Sequence, residues 1–118
     1  MLMGYRITPF LMLPPKQDAF QINGVCSSEC TQNAIPKDGI NVILTLVHAH
    51  LSGRKIRLRH FRNGKELPRV AEDNHYDFNY QQSRPLKKEV KILPGDDFMV
   101  ECEYNTEDND RIMLVRIT

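Results

Sequence analysis

The chain has no excess of charge of either sign, no long apolar run and no glycine-rich phosphate loop, and each absence removes a class of function. Its 16 basic and 15 acidic side chains leave a formal net charge of +1. No electrostatic argument therefore favours nucleic acid or an acidic lipid surface as partner. The most apolar stretch, Ile40 to Leu51, is interrupted by Asn41, Thr45, His48 and His50. It is too short and too polar to span a bilayer. Met1 to Phe10 carries neither the apolar segment nor the small-residue cleavage site of a secretory signal. There is also no nucleophile elbow, no Cys-x-x-Cys pair, no internal repeat and no low-complexity segment.

Cysteine is scarce and odd in number. Cys26, Cys30 and Cys102 cannot all pair within one chain. Two readings stay open: three inert thiols packed as small hydrophobes, or an incomplete disulfide framework whose partners lie outside this sequence. Cys26 and Cys30, at i and i+4, can face each other on a helical turn, but a zinc site there needs two further ligands.

What remains is an ordinary globular composition, 41% hydrophobic and 26% charged over 118 residues, enough for one domain or most of one. The patterning is β throughout. Ala19 to Asn23 reads as a short strand and Glu29 to Ala34 as one helical turn. Ile40 to Leu51 reads as the strongest strand. Arg54 to Arg62 alternates, with Ile56, Leu58 and His60 on one face and Arg57, Arg59 and Phe61 on the other. Asn63-Gly64 is the preferred pair for a type I′ turn and predicts a hairpin returning through Lys65 to Ala71. Leu86 to Leu93 suits an edge strand, Pro94-Gly95-Asp96 a turn, Asp97 to Tyr104 another strand and Ile112 to Ile117 a last one. This spacing, without sustained helical periodicity, predicts an all-β fold, an antiparallel β-sandwich or barrel. The basic run of Arg54, Lys55, Arg57, Arg59 and Arg62 reads as a solvated outer face.

His48-Ala49-His50 is the informative constellation. Side chains two apart on a strand share a face at roughly 7 Å, so two imidazoles can converge on one ion through bonds of about 2 Å. Ile40, Val42, Leu44 and Leu46 precede them in the same phase, so an apolar face is expected to end in two imidazoles. For an isolated His-x-His, half-exposed rings bonded to backbone are the commoner outcome. Imidazole suits copper and zinc alike. A third ligand is open among His60, His75, Met99 and Met113, and none has a spacing that compels it.

Six ordered motifs then carry a resemblance. Gly24-Val-Cys26-Ser-Ser-Glu-Cys30-Thr-Gln, His48-Ala-His50-Leu-Ser-Gly53-Arg54, Asp73-Asn74-His75-Tyr76, Leu86-Lys87-Lys88, Pro94-Gly95-Asp96 and Cys102-Glu-Tyr104-Asn105-Thr106-Glu-Asp108 resemble the copper type II, ascorbate-dependent monooxygenases. The match is to their dopamine β-hydroxylase-like branch and runs from about Pro14 to Asp110. The resemblance implies two antiparallel, jelly-roll-like β-sandwich domains, one copper each, facing across a cleft, with the second one incomplete in this sequence at its C-terminal end. Electrons enter from ascorbate through the first copper, and the second binds dioxygen and hydroxylates an activated C–H bond of a small-molecule substrate. His48 and His50 map onto two ligands of that second copper. The third is a downstream methionine in a Glu-Met-Cys context.

The sequence departs from the family after Asp108. Met113 arrives early and lacks the following cysteine. The family's partners for Cys26, Cys30 and Cys102 fall beyond Thr118, and the first copper domain falls before Met1. The expectation is residues 1–18 as linker and 19–118 as part of the second copper domain. Such a piece would be inactive alone, with no signal peptide of its own although the parent family is secretory. The alternative is a non-catalytic binding or regulatory module that associates with the full-length enzyme, or with itself, through open strand edges.

Overall fold

The computed structural model describes residues 12–114. Among the described residues there are eight strands: β1 (Met12–Leu13), β2 (Phe20–Cys26), β3 (Ile40–Thr45), β4 (Gly53–Arg62), β5 (Lys65–Asp73), β6 (Arg84–Ile92), β7 (Asp97–Tyr104) and β8 (Met113–Leu114). One helix, α1 (Ser28–Ala34), follows β2, and a single 3-10 turn spans Phe78–Tyr80. All pairings are antiparallel. A four-stranded sheet in the order β2-β7-β4-β5 faces a two-stranded ribbon β3-β6, and β1-β8 forms a small third sheet. The result is an antiparallel β-sandwich in which no sheet closes into a barrel.

Most elements fall where the residue pattern puts them. Asn63 and Gly64 both take positive φ, 51° and 75°, as the hairpin between β4 and β5 requires. A side chain at Gly64 would meet nothing within 4 Å, so the tip stands in open space. Lys55, Arg57 and Arg59 of the basic run on β4 lie on an outer face and are paired rather than merely solvated, whereas Arg62 turns to the buried Asp96. Arg57 reaches Glu72 and Glu101, Arg59 reaches Glu66 and Glu101, and Lys55 reaches Glu103. These cross-strand pairs set opposite charges directly or diagonally across the ladder. The expected last strand is seen at Met113–Leu114. Its remainder, and the N-terminal decamer examined for a signal, lie outside the described residues.

The core has two ends. Beneath the ribbon, Ile35, Val70, Ile92 and Phe98 are buried, and Ile40, Val42, Leu58 and Val90 pack against them. At the other end Leu13, Ala49, Ile56, Tyr76 and Tyr104 form a second cluster, joined by Val47, Cys102 and Met113. Residues 14–17 are stitched to the body by Thr106. Its Oγ1 donates to the Pro14 carbonyl at 2.7 Å, and its backbone exchanges bonds with Lys16 and Gln17.

The ribbon departs from expectation at one place. β3 ends at Thr45, and its pairing with β6 shifts register between Val42 and Leu44. Before the shift Ile40 and Val42 face the core; after it the inward positions are Thr45, Val47 and Ala49. A one-residue slip exchanges the two faces of a strand. Ile43, Leu44 and Leu46 are consequently exposed. The apolar face therefore does not run on into the histidines.

A buried carboxylate joins the helix, the sheet and the β6–β7 turn. Asp96 is 1% exposed and accepts from His60 Nε2 at 2.7 Å, from Arg62 Nε and Nη2 at 2.7 Å each, and from the Leu93 amide at 2.9 Å. His60 stacks on Phe98 with centroids 4.6 Å apart. Its Nδ1 has no partner among the described residues, while its Nε2 donates to Asp96. Thr31 on α1 donates to the Asp96 carbonyl at 2.6 Å and accepts from the Gly95 amide at 3.1 Å. Burial pushes the Asp96 carboxyl up, but Arg62, the Leu93 amide and His60 outweigh it and hold the group at about 2, against an ordinary 3.8. Its folded value lies below its unfolded one, so its stabilisation is complete above about pH 4 and is lost as pH falls through about 2. Asp96→Ala removes the acceptor shared by His60, Arg62 and the Leu93 amide and is expected to cost about 1–3 kcal/mol in urea unfolding at neutral pH. The penalty should shrink as pH falls through that window.

Candidate metal centre

The segment 46–50 has no ladder partner and is held instead by one phenol. Tyr76 is buried, and its hydroxyl accepts from the Ala49 amide at 3.0 Å and donates to the Ala49 carbonyl at 2.7 Å. The aromatic oxygen thus satisfies both backbone groups of a buried residue that lies outside a strand, as buried backbone requires. With Ala49 pinned inward, alternation sends its two neighbours outward. The chain then turns sharply: the Gly53 amide donates to the His50 carbonyl at 2.8 Å. A Cβ at Gly53 would approach Ala49 Cβ to 2.7 Å, so the turn needs glycine for space rather than for φ. Tyr76 is fixed in turn by its own amide, which donates to the Arg54 carbonyl at 2.8 Å.

The consequence is an imidazole pair. The rings of His48 and His50 lie 5.3 Å apart, centroid to centroid, at an interplanar angle of 73°. His48 is exposed and His50 half-buried. The Gln81 side chain orients the first ring. Its Nε2 donates to the Phe78 carbonyl at 2.9 Å, which turns its Oε1 towards His48 Nδ1. An amide oxygen only accepts, so Nδ1 carries a proton, and Nε2 is the nitrogen left to offer a lone pair to a metal. Metal-ligating histidines are commonly set up in this way, with the far nitrogen donating to an oxygen. Phe78, 6.4 Å from the His48 ring, leads into an open cleft of about 520 Å³ bounded also by Leu51, Arg54, His75 and Tyr76.

The other ligand candidates are placed elsewhere. His60 is committed to Asp96. Met99 lies on the outer face of the four-stranded sheet, beside Arg59. The Met113 sulfur accepts from Ser52 Oγ at 3.3 Å and packs in the Ala49 cluster, on the side Ala49 faces rather than the side its neighbours leave. His75 is exposed at the cleft, with its amide donating to Asp73. Among the described residues, no three of His, Cys, Asp and Glu gather to hold a metal. The residues present therefore fit half of a copper site: two borderline imidazole donors, one with its tautomer already set, and room on the solvent side for further ligands. Of the two residues that build this arrangement, Gln81 was not singled out from sequence, and Tyr76 stood out only within the Asp73-Asn74-His75-Tyr76 motif, not as the anchor of Ala49. A tyrosine or glutamine some thirty residues from its partner leaves no local pattern.

The family described as copper type II ascorbate-dependent monooxygenase, C-terminal domain, matches residues 1–118, and the chain belongs to it. The family is copper-dependent and uses ascorbate and small-molecule substrates. Human DBH-like monooxygenase protein 1 is 47% identical over 108 residues, 89% of this chain and 18% of that protein. Human dopamine beta-hydroxylase is 42% identical over 110 residues, 93% of this chain and 18% of that protein. The mouse DBH-like monooxygenase protein 1 is 44% identical over 108 residues. The chain thus spans less than a fifth of the length of these relatives.

Replacing Tyr76 with Phe strands the Ala49 amide and carbonyl together. The loss should be about 1–3 kcal/mol in chemical denaturation, and the His50 ring resonances should broaden in NMR spectra as the segment loosens. A Tyr76→Phe protein with unchanged stability and sharp ring signals would show that the phenol is not what holds the pair.

Proposed function

We propose that the chain supplies part of the oxygen-binding copper site of a dopamine β-hydroxylase-like monooxygenase, with His48 and His50 as two of the protein ligands. The observation that carries this reading is the imidazole pair at 5.3 Å, with His48 Nε2 left free by Gln81, in a member of a copper-dependent family. Copper held there would supply one-electron redox chemistry towards dioxygen. This chain's own residues do the rest of the local work. Ala49 and Tyr76 aim the two rings, Gln81 fixes the proton of His48 on Nδ1, and the cleft beyond Phe78 offers a polar-rimmed space beside them for a small substrate.

The parent enzyme hydroxylates an activated C–H bond with electrons from ascorbate, and its third ligand is a methionine further along the chain. Residues 19–118 are then part of the second copper domain, with 1–18 leading into it. Cys26, Cys30 and Cys102 pair in the parent with cysteines further along the chain, and the parent works in the secretory pathway. Residues 1–118 by themselves would not turn over, because two imidazoles hold copper weakly and the electrons reach it only through the other copper domain.

The test is copper titration of the purified 118-residue protein. His48→Ala and His50→Ala should each weaken binding at least about tenfold, and Gln81→Ala by about tenfold or more through the lost tautomer. Binding that both histidine substitutions leave untouched would overturn the ligand assignment. Sustained ascorbate-driven hydroxylation by the isolated chain would overturn its inactivity.

A second reading, a non-catalytic module, is favoured by one feature. The outer edge of β3 pairs with no strand among the described residues, and Ile43, Leu44 and Leu46 stand exposed beside it. Such an edge is a template for another strand, from a second copy or from the full-length enzyme. Gel filtration of metal-free protein should then show a dimer that an Ile43→Lys substitution dissolves. A monomer at high concentration that captures no parent enzyme would discard this reading.

A further inference from the structure

The two cysteines nearest in sequence are in contact, and nothing in the proposed copper chemistry uses them. Cys26 ends β2, and Cys30 lies in the first turn of α1. Their sulfurs are 2.7 Å apart, and both are free thiols. A covalent S–S bond is about 2.05 Å, so the pair can close with almost no movement of the chain.

The contact is imposed by the surrounding structure. On the strand side, Cys26 is paired in register with Phe98 of β7. On the helix side, Ser27 caps α1 by accepting from the Cys30 amide. The Ser28 amide donates to Asp97 Oδ1 at 2.6 Å, and Thr31 is locked to Asp96 and Gly95. Both cysteines are therefore tied to the same short stretch, residues 95–98. The third thiol is out of reach. Cys102 stands opposite Ile22 while Cys26 stands opposite Phe98, four residues along the ladder, or roughly 13 Å, well beyond what a disulfide spans.

The two sulfurs are also unequal. Cys30 is exposed, whereas Cys26 is half-buried against the core. Burial, and then the neighbouring Cys30, push the Cys26 thiol up to about 11. The thiolate is the attacking species in exchange, so the accessible Cys30 enters first and Cys26 second.

We propose that Cys26 and Cys30 form a dithiol–disulfide couple that exchanges with external disulfides, Cys30 being the attacking thiol and Cys26 the resolving one. Cys30 thiolate attacks one sulfur of a disulfide such as oxidised glutathione; a mixed disulfide forms and one glutathione thiolate leaves. Cys26 then loses its proton to solvent and attacks Cys30 Sγ. The Cys26–Cys30 bond forms and the second glutathione thiolate leaves. Two protein thiols are oxidised, and one external disulfide is reduced to two thiols. Engaging Cys30 in the mixed disulfide also removes part of what keeps Cys26 protonated. Exposed disulfides are the labile ones, so the bond reopens when a further thiol competes for either sulfur. In a longer chain with additional cysteines, the couple is an interim partner that such cysteines displace. The inference rests on these two residues alone and is independent of copper.

The test uses the reduced 118-residue protein, oxidised glutathione as the probe and peptide mass spectrometry after acid quenching. The tryptic peptide Gln17–Lys37, which holds both cysteines, should become lighter by two hydrogens and carry no glutathione, while Cys102 stays free. Cys26→Ser should trap one glutathione on Cys30, and Cys30→Ser should react about tenfold more slowly or worse. Dithiothreitol should restore the starting mass. Two glutathiones on the wild-type peptide, a bridge to Cys102, or disulfide-linked dimers as the main product would each overturn the proposal. The wild-type result stands without the variants, and circular dichroism checks that each variant is folded.

Discussion

Two hydrogen bonds from one phenol govern the end of the molecule where the chemistry is proposed. The Tyr76 hydroxyl both accepts from and donates to the backbone of Ala49, so a residue outside any strand is held as firmly as one within a ladder. Because Ala49 is drawn into the core with Leu13, Ile56 and Tyr104, its neighbours on either side are driven out together. The closeness of the His48 and His50 rings follows from that constraint rather than from any attraction between them. The tight turn at Gly53 and the orientation of Gln81 refine the result. Neither would matter if the segment were free to swivel.

The molecule divides its tasks between two buried clusters. The one under the β3–β6 ribbon is anchored by an ionic node, Asp96 with His60 and Arg62, and it ties α1 to the β6–β7 turn. The one at the far end is anchored by neutral groups, the phenols of Tyr76 and Tyr104 among aliphatic side chains. Burial raises Tyr104 to about 12 and Cys102 to about 11, so this end stays uncharged through neutral pH.

Much of the sheet architecture was legible in the residues. The alternation over Arg54 to Arg62, the Asn63-Gly64 turn and the strand from Asp97 to Tyr104 appear with nearly the expected limits, because periodicity and positive-φ turns are local properties. The adjacency of His48 and His50 was legible too, from their spacing of two. The face they occupy was not. Phase counted from Ile40 puts them on the buried side, and the register shift between Val42 and Leu44 reverses it. A bulge is decided by the partner strand, here by β6, and leaves no mark in β3 itself. The supports of the site were hidden for the same reason: Tyr76 and Gln81 act across 27 and 33 residues. The three thiols were countable, but only the folded chain separates the touching pair from the isolated one.

The hairpin tip at Gly64 offers a practical handle. It lies at the opposite end of β4 from Gly53, about 30 Å along the strand from the imidazole turn, and no neighbouring atom crowds it. A fluorophore, an affinity peptide or a spin probe spliced there would ride on the most regular part of the sheet. Metal-dependent changes at the histidine end could then be followed by distance measurements from a fixed reference, without placing any foreign group near the rings.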